Sequence, residues 1–315
     1  MKAAIVSAMV NQPLGSYNVS DVTVSGLSAG AFMAVQMHIA YSGTISGAAV
    51  YAGGPYYCAK GSLNTAMMSC MYDTMPSNID QLVAYTNQHA ASKDIDSPDN
   101  LKDDKVFLFS GRKDTTVNPK VVKALQEYYE AFMPASNIES MYTLDAAHTF
   151  PTLAYGNACS MSKDPYISKC SYDGAGEALR VLVDKDLKRG SAKSENLWSF
   201  DQTSFFKGTG TSLGKQGYVY VPSACQDGES CHLHIAFHGC EQTLADVGTD
   251  YVEHTGFNEW AENGNIIVLY PQVDATVGSN PNGCWDWWAY TDNNYALQSG
   301  VQMSFVKALI DELSI

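Results

Sequence analysis

Ser28, Asp114 and His148 are of the types, and in the chain order, that covalent ester chemistry requires. Ser28 sits in Gly26-Leu27-Ser28-Ala29-Gly30, a G-x-S-x-G. A serine hydroxyl attacks a carbonyl only when a neighbouring base takes its proton, and that base works only when a carboxylate holds its ring. On the α/β-hydrolase scaffold these groups come in the order serine, carboxylate, histidine. Asp114 lies in "KVFLFSGRKDTTVNP" and His148 in "SMYTLDAAHTFPT". Taken singly, each has an ordinary reading: a Gly/Ser turn, a turn or capping aspartate, a surface histidine. Asp145 is a second carboxylate near the base, but it stands too close to His148 in sequence to be the expected partner.

The elements around these residues make the combination specific. The β-branched run 19–24 reads as a strand, and 32–41 carries helix formers with apolar residues at helical spacing. A strand, a tight turn flanked by glycines and a helix form the setting of a nucleophile elbow, with the helix dipole under the serine. Further strands are predicted at 47–52, 105–110, 139–144, 217–221, 232–237 and 265–270, and helices at 31–41, 79–91, 119–132, 174–187, 251–262 and 300–313. Their alternation predicts an α/β fold, a mainly parallel sheet with helices on both faces. Ser28, Asp114 and His148 each follow a predicted strand, at the sheet edge where such sites are built. The polar stretch 188–215 reads as a connection between two parts of one domain spanning 1–315. Residues 1–187 carry Ser28, Asp114 and His148.

One part is out of place. The amide of Ala29, after the nucleophile, supplies one oxyanion donor, and the second donor comes from a loop after an earlier strand. No such loop precedes Ser28. The required element is instead "LHIAFHGCEQT", an apolar strand ending in His238-Gly239-Cys240, far downstream within 216–315. The chain therefore reads as a circularly permuted α/β hydrolase, in which the helix at 300–313 would lead into the strand before Ser28.

Read in that joined order, the segments "GYVYVPSAC", "HIAFHGCEQT", "GFNEWAENGNIIVLYPQ", "NGCWDWW", "ALIDEL", "VTVSGLSAGAFMA" and "AAHTFP" resemble the polyhydroxybutyrate depolymerase and feruloyl esterase group. In the order given, with "YAGGPYYCA", "DPYISKCSYDGAG" and "NPNGCWDWW", the chain resembles the permuted, single-domain, extracellular poly(3-hydroxybutyrate) depolymerases of fungal type, over nearly all of 18–315. The resemblance implies a serine esterase with Ser28, Asp114 and His148 as its triad, Ala29 and Cys240 as oxyanion donors, a polyester substrate and no cofactor. It also matches Trp287 to an aromatic residue lining the substrate crevice. Trp285 and Trp287 share the loop "CWDWWAY", and clustered loop aromatics commonly bind something. A feruloyl or acetyl-xylan esterase would share the triad and differ in the pocket; an inactive polymer-binding protein would lack the intact Ser, Asp, His order.

Bulk composition narrows the partners. With 45% hydrophobic and 17% charged residues, the 315-residue chain is globular rather than disordered. A net charge of −14 argues against nucleic acid and anionic membrane surfaces as partners, and no apolar run is long enough to span a bilayer. A monomer is expected. The eight cysteines fall into the near pairs Cys58/Cys70, Cys159/Cys170 and Cys225/Cys231, with Cys240 and Cys284 left over. Short loops close most easily, so these four pairings are expected, and with them an oxidising, secreted setting. The opening "MKAAIVSAMV" has a short apolar run and no clear cleavage site, so a signal peptide is not evident. Asn18-Val19-Ser20 is a glycosylation sequon, usable if a eukaryote secretes the chain. His232 and His234, beside Cys231 and Cys240, fit no common zinc spacing, and the disulfide pairing uses both cysteines.

Overall fold

A computed structural model describes residues 10–314, so the apolar run at 1–9 lies outside the described residues. The strands are, in chain order, β1 (Val19–Leu27), β2 (Gly47–Tyr51), β3 (Lys105–Phe109), β4 (Ile138–Met141), β5 (Phe150–Thr152), β6 (Asn157–Ala158), β7 (Ile167–Lys169), β8 (Leu197–Asp201), β9 (Gln216–Tyr220), β10 (Cys231–Phe237) and β11 (Ile266–Tyr270). Eight of them form one sheet in the order β4-β3-β2-β1-β10-β11-β9-β8, and β5, β7 and β6 form a small second sheet. The strands from β4 to β11 in that order run parallel, and β9 alone is reversed, antiparallel to both β11 and β8. β1 and β10 are buried on both faces, which is why they read as near-continuous apolar runs.

The sheet separates two apolar cores. Val22, Val24 and Val50 pack with the helices Ala29–Ala40 and Val301–Leu313 on one face. Ala49, Tyr51 and Phe107 pack with Gly174–Leu182 and Phe257–Gly264 on the other. Alternate residues of one strand thus serve opposite cores.

The permuted order is visible in the pairing. β1, from the start of the chain, sits centrally beside β10, from its last third, with Gly26 opposite Phe237. The helix Val301–Leu313 ends against the residues that lead into β1: the Tyr17 amide donates to the Leu313 carbonyl at 2.8 Å, and the Ser16 hydroxyl to the Glu312 carbonyl at 2.7 Å.

Three expectations are corrected. The stretch 188–215 is not merely a connection, because its apolar Leu197, Trp198 and Phe200 form the edge strand β8. The helix expected over 251–262 is two, Asp250–His254 and Phe257–Gly264, broken where Gly256 takes a φ of 97°. The helix from Gly174 ends at Leu182 rather than 187.

Candidate active site

The glycines of the elbow are dictated by close approach. A Cβ on Gly26 would stand 2.1 Å from the Gly30 carbonyl oxygen, and one on Gly30 would stand 2.2 Å from that of Phe237. Only bare backbone lets β1 turn this sharply into a helix packed against the end of β10. Between them Ser28 takes φ 55° and ψ −121°, a conformation that costs a non-glycine residue about 1–3 kcal/mol. Its amide donates to Tyr51 at 2.9 Å, and its carbonyl accepts from Ala31 and Phe32. These bonds hold the strained turn and leave the half-buried hydroxyl at the helix N-terminus.

Asp114 lies beyond β3, its carboxylate almost fully buried. One oxygen accepts from the amides of Thr116 and Val117, both at 2.9 Å. The other faces His148 Nδ1 at 2.8 Å. A carboxylate held by two amides can only accept from the imidazole, so the ring proton is assigned to Nδ1 and the lone pair to Nε2. Asp145 plays no part in this: it is exposed and bound to Arg112, whose guanidinium holds its carboxyl below the ordinary range. His148 and Ser28 line one cavity of 290 Å³, without a hydrogen bond between their side chains in this conformation.

The loop after β10 closes the site. Gly239 is packed on Ser28, since a Cβ there would lie 3.4 Å from that of Ser28. His238 Nε2 accepts from the Val273 amide at 3.3 Å, which leaves Nδ1 to donate to the Gly239 carbonyl at 2.8 Å. In a trans peptide the C=O of residue 239 and the N–H of residue 240 point in opposite directions. Anchoring one therefore aims the other, and the Cys240 amide has no backbone or side-chain acceptor among the described residues. Ala29, as the first helical residue, likewise has no acceptor within its helix. The Cys240–Cys284 disulfide ties this loop to the aromatic loop; Cys58–Cys70, Cys159–Cys170 and Cys225–Cys231 are the other three bridges.

The two tryptophans diverge. Trp287 stacks on Phe32, ring centroids 4.1 Å apart, and lines an apolar crevice of 380 Å³ that also reaches Ser28. Trp285 is fully buried against Phe237 and His238, so its expected contact with substrate is corrected to packing beneath the loop that follows β10. The loop is organised by buried Asp286, which accepts from the amides of Trp288, Ala289, Tyr290 and Thr291. Sequence reading also missed Tyr166, Glu241 and Asn282, which line the cavity beside His148. Their positions in irregular loops carry no periodic signal.

His232 and His234 belong to a buried polar ladder between β1 and β10. Thr23 Oγ1 meets His232 Nε2 at 2.8 Å and His234 Nδ1 at 2.9 Å, and Ser25 Oγ meets His234 Nε2 at 2.8 Å. Burial, with His232 adding, pushes His234 down to about 3, and burial pushes His238 down to about 4. For a base whose folded pKa is depressed, the unfolded chain takes up the proton first as pH falls. Stability should therefore decline as pH drops from about 6.5, where free histidine titrates, toward 4. The urea midpoint should be lower at pH 5 than at pH 7, and His234→Gln should flatten that dependence. An unchanged pH dependence in the variant would mean that His234 is not held neutral.

Strand order, elbow and the buried imidazole–carboxylate pair define the α/β-hydrolase class. No family model matches the chain. It is 43% identical over 314 residues to a poly(3-hydroxybutyrate) depolymerase of Delftia acidovorans, covering 98% of this chain and 63% of that protein. It is 38% identical over 317 residues to a polyhydroxybutyrate depolymerase of Talaromyces funiculosus, covering 96% of this chain and 91% of that one. Among solved structures, a PHB depolymerase with a serine-to-alanine substitution, complexed with an R3HB trimer, superposes with a TM-score of 0.88 at 35% identity, over 96% of this chain and 98% of that one. The chain belongs to the polyhydroxybutyrate depolymerase family.

Proposed function

We propose that this chain is a carboxylic ester hydrolase that cleaves poly(3-hydroxybutyrate), or a related short-chain polyhydroxyalkanoate, through an acyl-enzyme. The observation that carries the reading is a buried His148–Asp114 pair opening on the same cavity as a Ser28 held at positive φ on a helix N-terminus. Ser28 Oγ attacks the ester carbonyl while His148 Nε2 takes its proton. The Ala29 and Cys240 amides receive the oxyanion. His148 then returns the proton to the leaving alkoxide, and the acyl group stays on Ser28. Water, deprotonated by His148, adds to the acyl carbonyl; Ser28 Oγ leaves with that proton and the acid product is released. Asp114 keeps Nδ1 protonated and stabilises the imidazolium. Disulfides of this number suit a secreted enzyme acting as one catalytic domain.

The apolar crevice supports a polyester rather than a sugar substrate, since Phe32, Met67, Trp287 and Trp288 offer apolar faces to methyl groups. Clearing of a poly(3-hydroxybutyrate) suspension, set beside release of ferulate from its methyl ester, tests the reading. Ferulate release without clearing would replace it by a phenolic esterase. Trp287→Ala should lower kcat/KM on a hydroxybutyrate trimer by about 10- to 100-fold, the loss of a contact worth about 1.5–3 kcal/mol. Hydrolysis of p-nitrophenyl acetate, too short to reach that wall, should change far less. Equal losses on both would mean that Trp287 supports the fold instead.

A further inference from the structure

The cleft has two halves of different chemistry that meet at Ser28, Met71, Cys240 and Asn282. The 380 Å³ half is mainly apolar and holds Trp287; His148, Thr116, Ser162, Tyr166 and Glu241 line the 290 Å³ half and not the other. Among the described residues no lysine or arginine lines either half, and Glu241 is the single carboxylate that does. Its position is held against a backbone cost. Glu241 takes a φ of 58°, a region that a non-glycine residue enters only when its surroundings impose it. Its amide donates to the Asn282 carbonyl at 2.7 Å, and the Tyr166 hydroxyl donates to its carboxylate. Burial, reinforced by Glu241 itself, pushes the Tyr166 phenol up to about 12, so it stays a donor.

The halves can be matched to the two ends of a polyester. This rests on the esterase reading above. His148 must protonate the leaving alkoxide, and it lines only the polar half. The leaving portion therefore occupies that half, and the acyl portion lies along Trp287. In a poly(3-hydroxyalkanoate) the leaving portion runs toward the carboxyl terminus of the chain, and the acyl portion runs toward the hydroxyl terminus. A short leaving portion thus carries an ionised carboxylate toward Glu241. We propose that Glu241 is a specificity-determining residue that disfavours cleavage next to a free carboxylate end, so that the enzyme prefers esters whose leaving portion is uncharged. Uncut polymer is neutral along its length and meets no penalty there. The ends left by earlier cuts are charged and are turned away.

The test compares hydroxybutyrate trimer as the free acid and as its methyl ester, at pH 8. At low ionic strength the wild type should favour the methyl ester by about three- to tenfold in kcat/KM, the size of a screened like-charge contact. The ratio should approach one at about 0.5 M salt, where such a contact is screened. In Glu241→Gln, which keeps the shape and removes the charge, the ratio should be near one at low salt too. A preference unchanged in Glu241→Gln overturns the proposal. So does a wild-type ratio near one at low salt, or one insensitive to salt, which is decisive even if the variant fails to fold. An equal loss on both trimers and on p-nitrophenyl butyrate leaves the ratio unchanged and assigns Glu241 to supporting the oxyanion loop. If p-nitrophenyl butyrate is cleaved but neither trimer is, the polyester reading itself fails and takes this inference with it. Trimers cleaved without charge preference overturn the inference alone.

Discussion

Ser28→Ala or His148→Ala should lower kcat on p-nitrophenyl butyrate by about 10⁴–10⁶, because members of a triad act as one unit and removing either disables covalent catalysis. Asp114→Asn should cost about 10⁴. The amide side chain would present a donor to His148 Nδ1 and favour the tautomer with the proton on Nε2, where it can no longer take one from Ser28. Folding is a separable matter. The Ser28 side chain lines the cavity and makes no side-chain hydrogen bond among the described residues, so Ser28→Ala should melt close to the wild type, whereas His148→Ala leaves the buried Asp114 carboxylate without its partner and should melt lower. Asp114 also accepts from the Thr116 and Val117 amides, and asparagine preserves an oxygen for them. Asp145→Asn should leave activity largely intact, since that carboxylate pairs with Arg112 at the surface. If Asp145→Asn removed activity and Asp114→Asn did not, the carboxylate assignment would be wrong.

The second large effect concerns the Cys240 amide. A backbone donor cannot be deleted by substitution, but what holds it can be. Replacing both Cys240 and Cys284 by serine keeps the amide and frees the two loops from one another. If the amide then wanders by a few tenths of an ångström, the cost should approach that of losing one oxyanion donor, about 10²–10³ in kcat. KM should move little, because the donor acts mainly on charge that develops in the transition state. The bridge also spans 44 residues, a closure worth up to about 4 kcal/mol by chain entropy, so the melting temperature should fall as well. Circular dichroism separates the two, since the kcat loss should appear at temperatures where the variant is still folded. Wild-type kcat in the double variant would show that His238, Gln242 and Asn282 hold the loop without the disulfide: His238 fixes the Gly239 carbonyl, Gln242 accepts from the Gly239 amide at 2.7 Å, and the Asn282 carbonyl accepts from Glu241.

Local chemistry is legible in a sequence when it is enforced locally. The G-x-S-x-G around Ser28 is such a case: each glycine is where it is because a Cβ would collide with backbone, and the strand before and helix after announce themselves by period. The pairing of Asp114 with His148 was legible because each follows a strand in the order serine, carboxylate, histidine. The permuted order was legible as well, since the apolar strand ending in His238-Gly239-Cys240 stands late in the chain and yet pairs with β1. The disulfide pairs near in sequence follow from the ease of closing short loops. β8 was not legible, because a five-residue edge strand inside a polar stretch has too few residues to show a period. Nor was the fate of the two tryptophans. Trp285 and Trp287 stand two residues apart in one loop, and only the packing of that loop against β10 and Phe32 sends one into the core and leaves the other at the crevice wall. The division of the cleft into an apolar and a polar half, with Glu241 in the latter, is likewise a property of the assembled chain. It arises where the segments after β1, β2, β3, β4, β6, β10 and β11 converge, and no stretch of sequence contains that convergence.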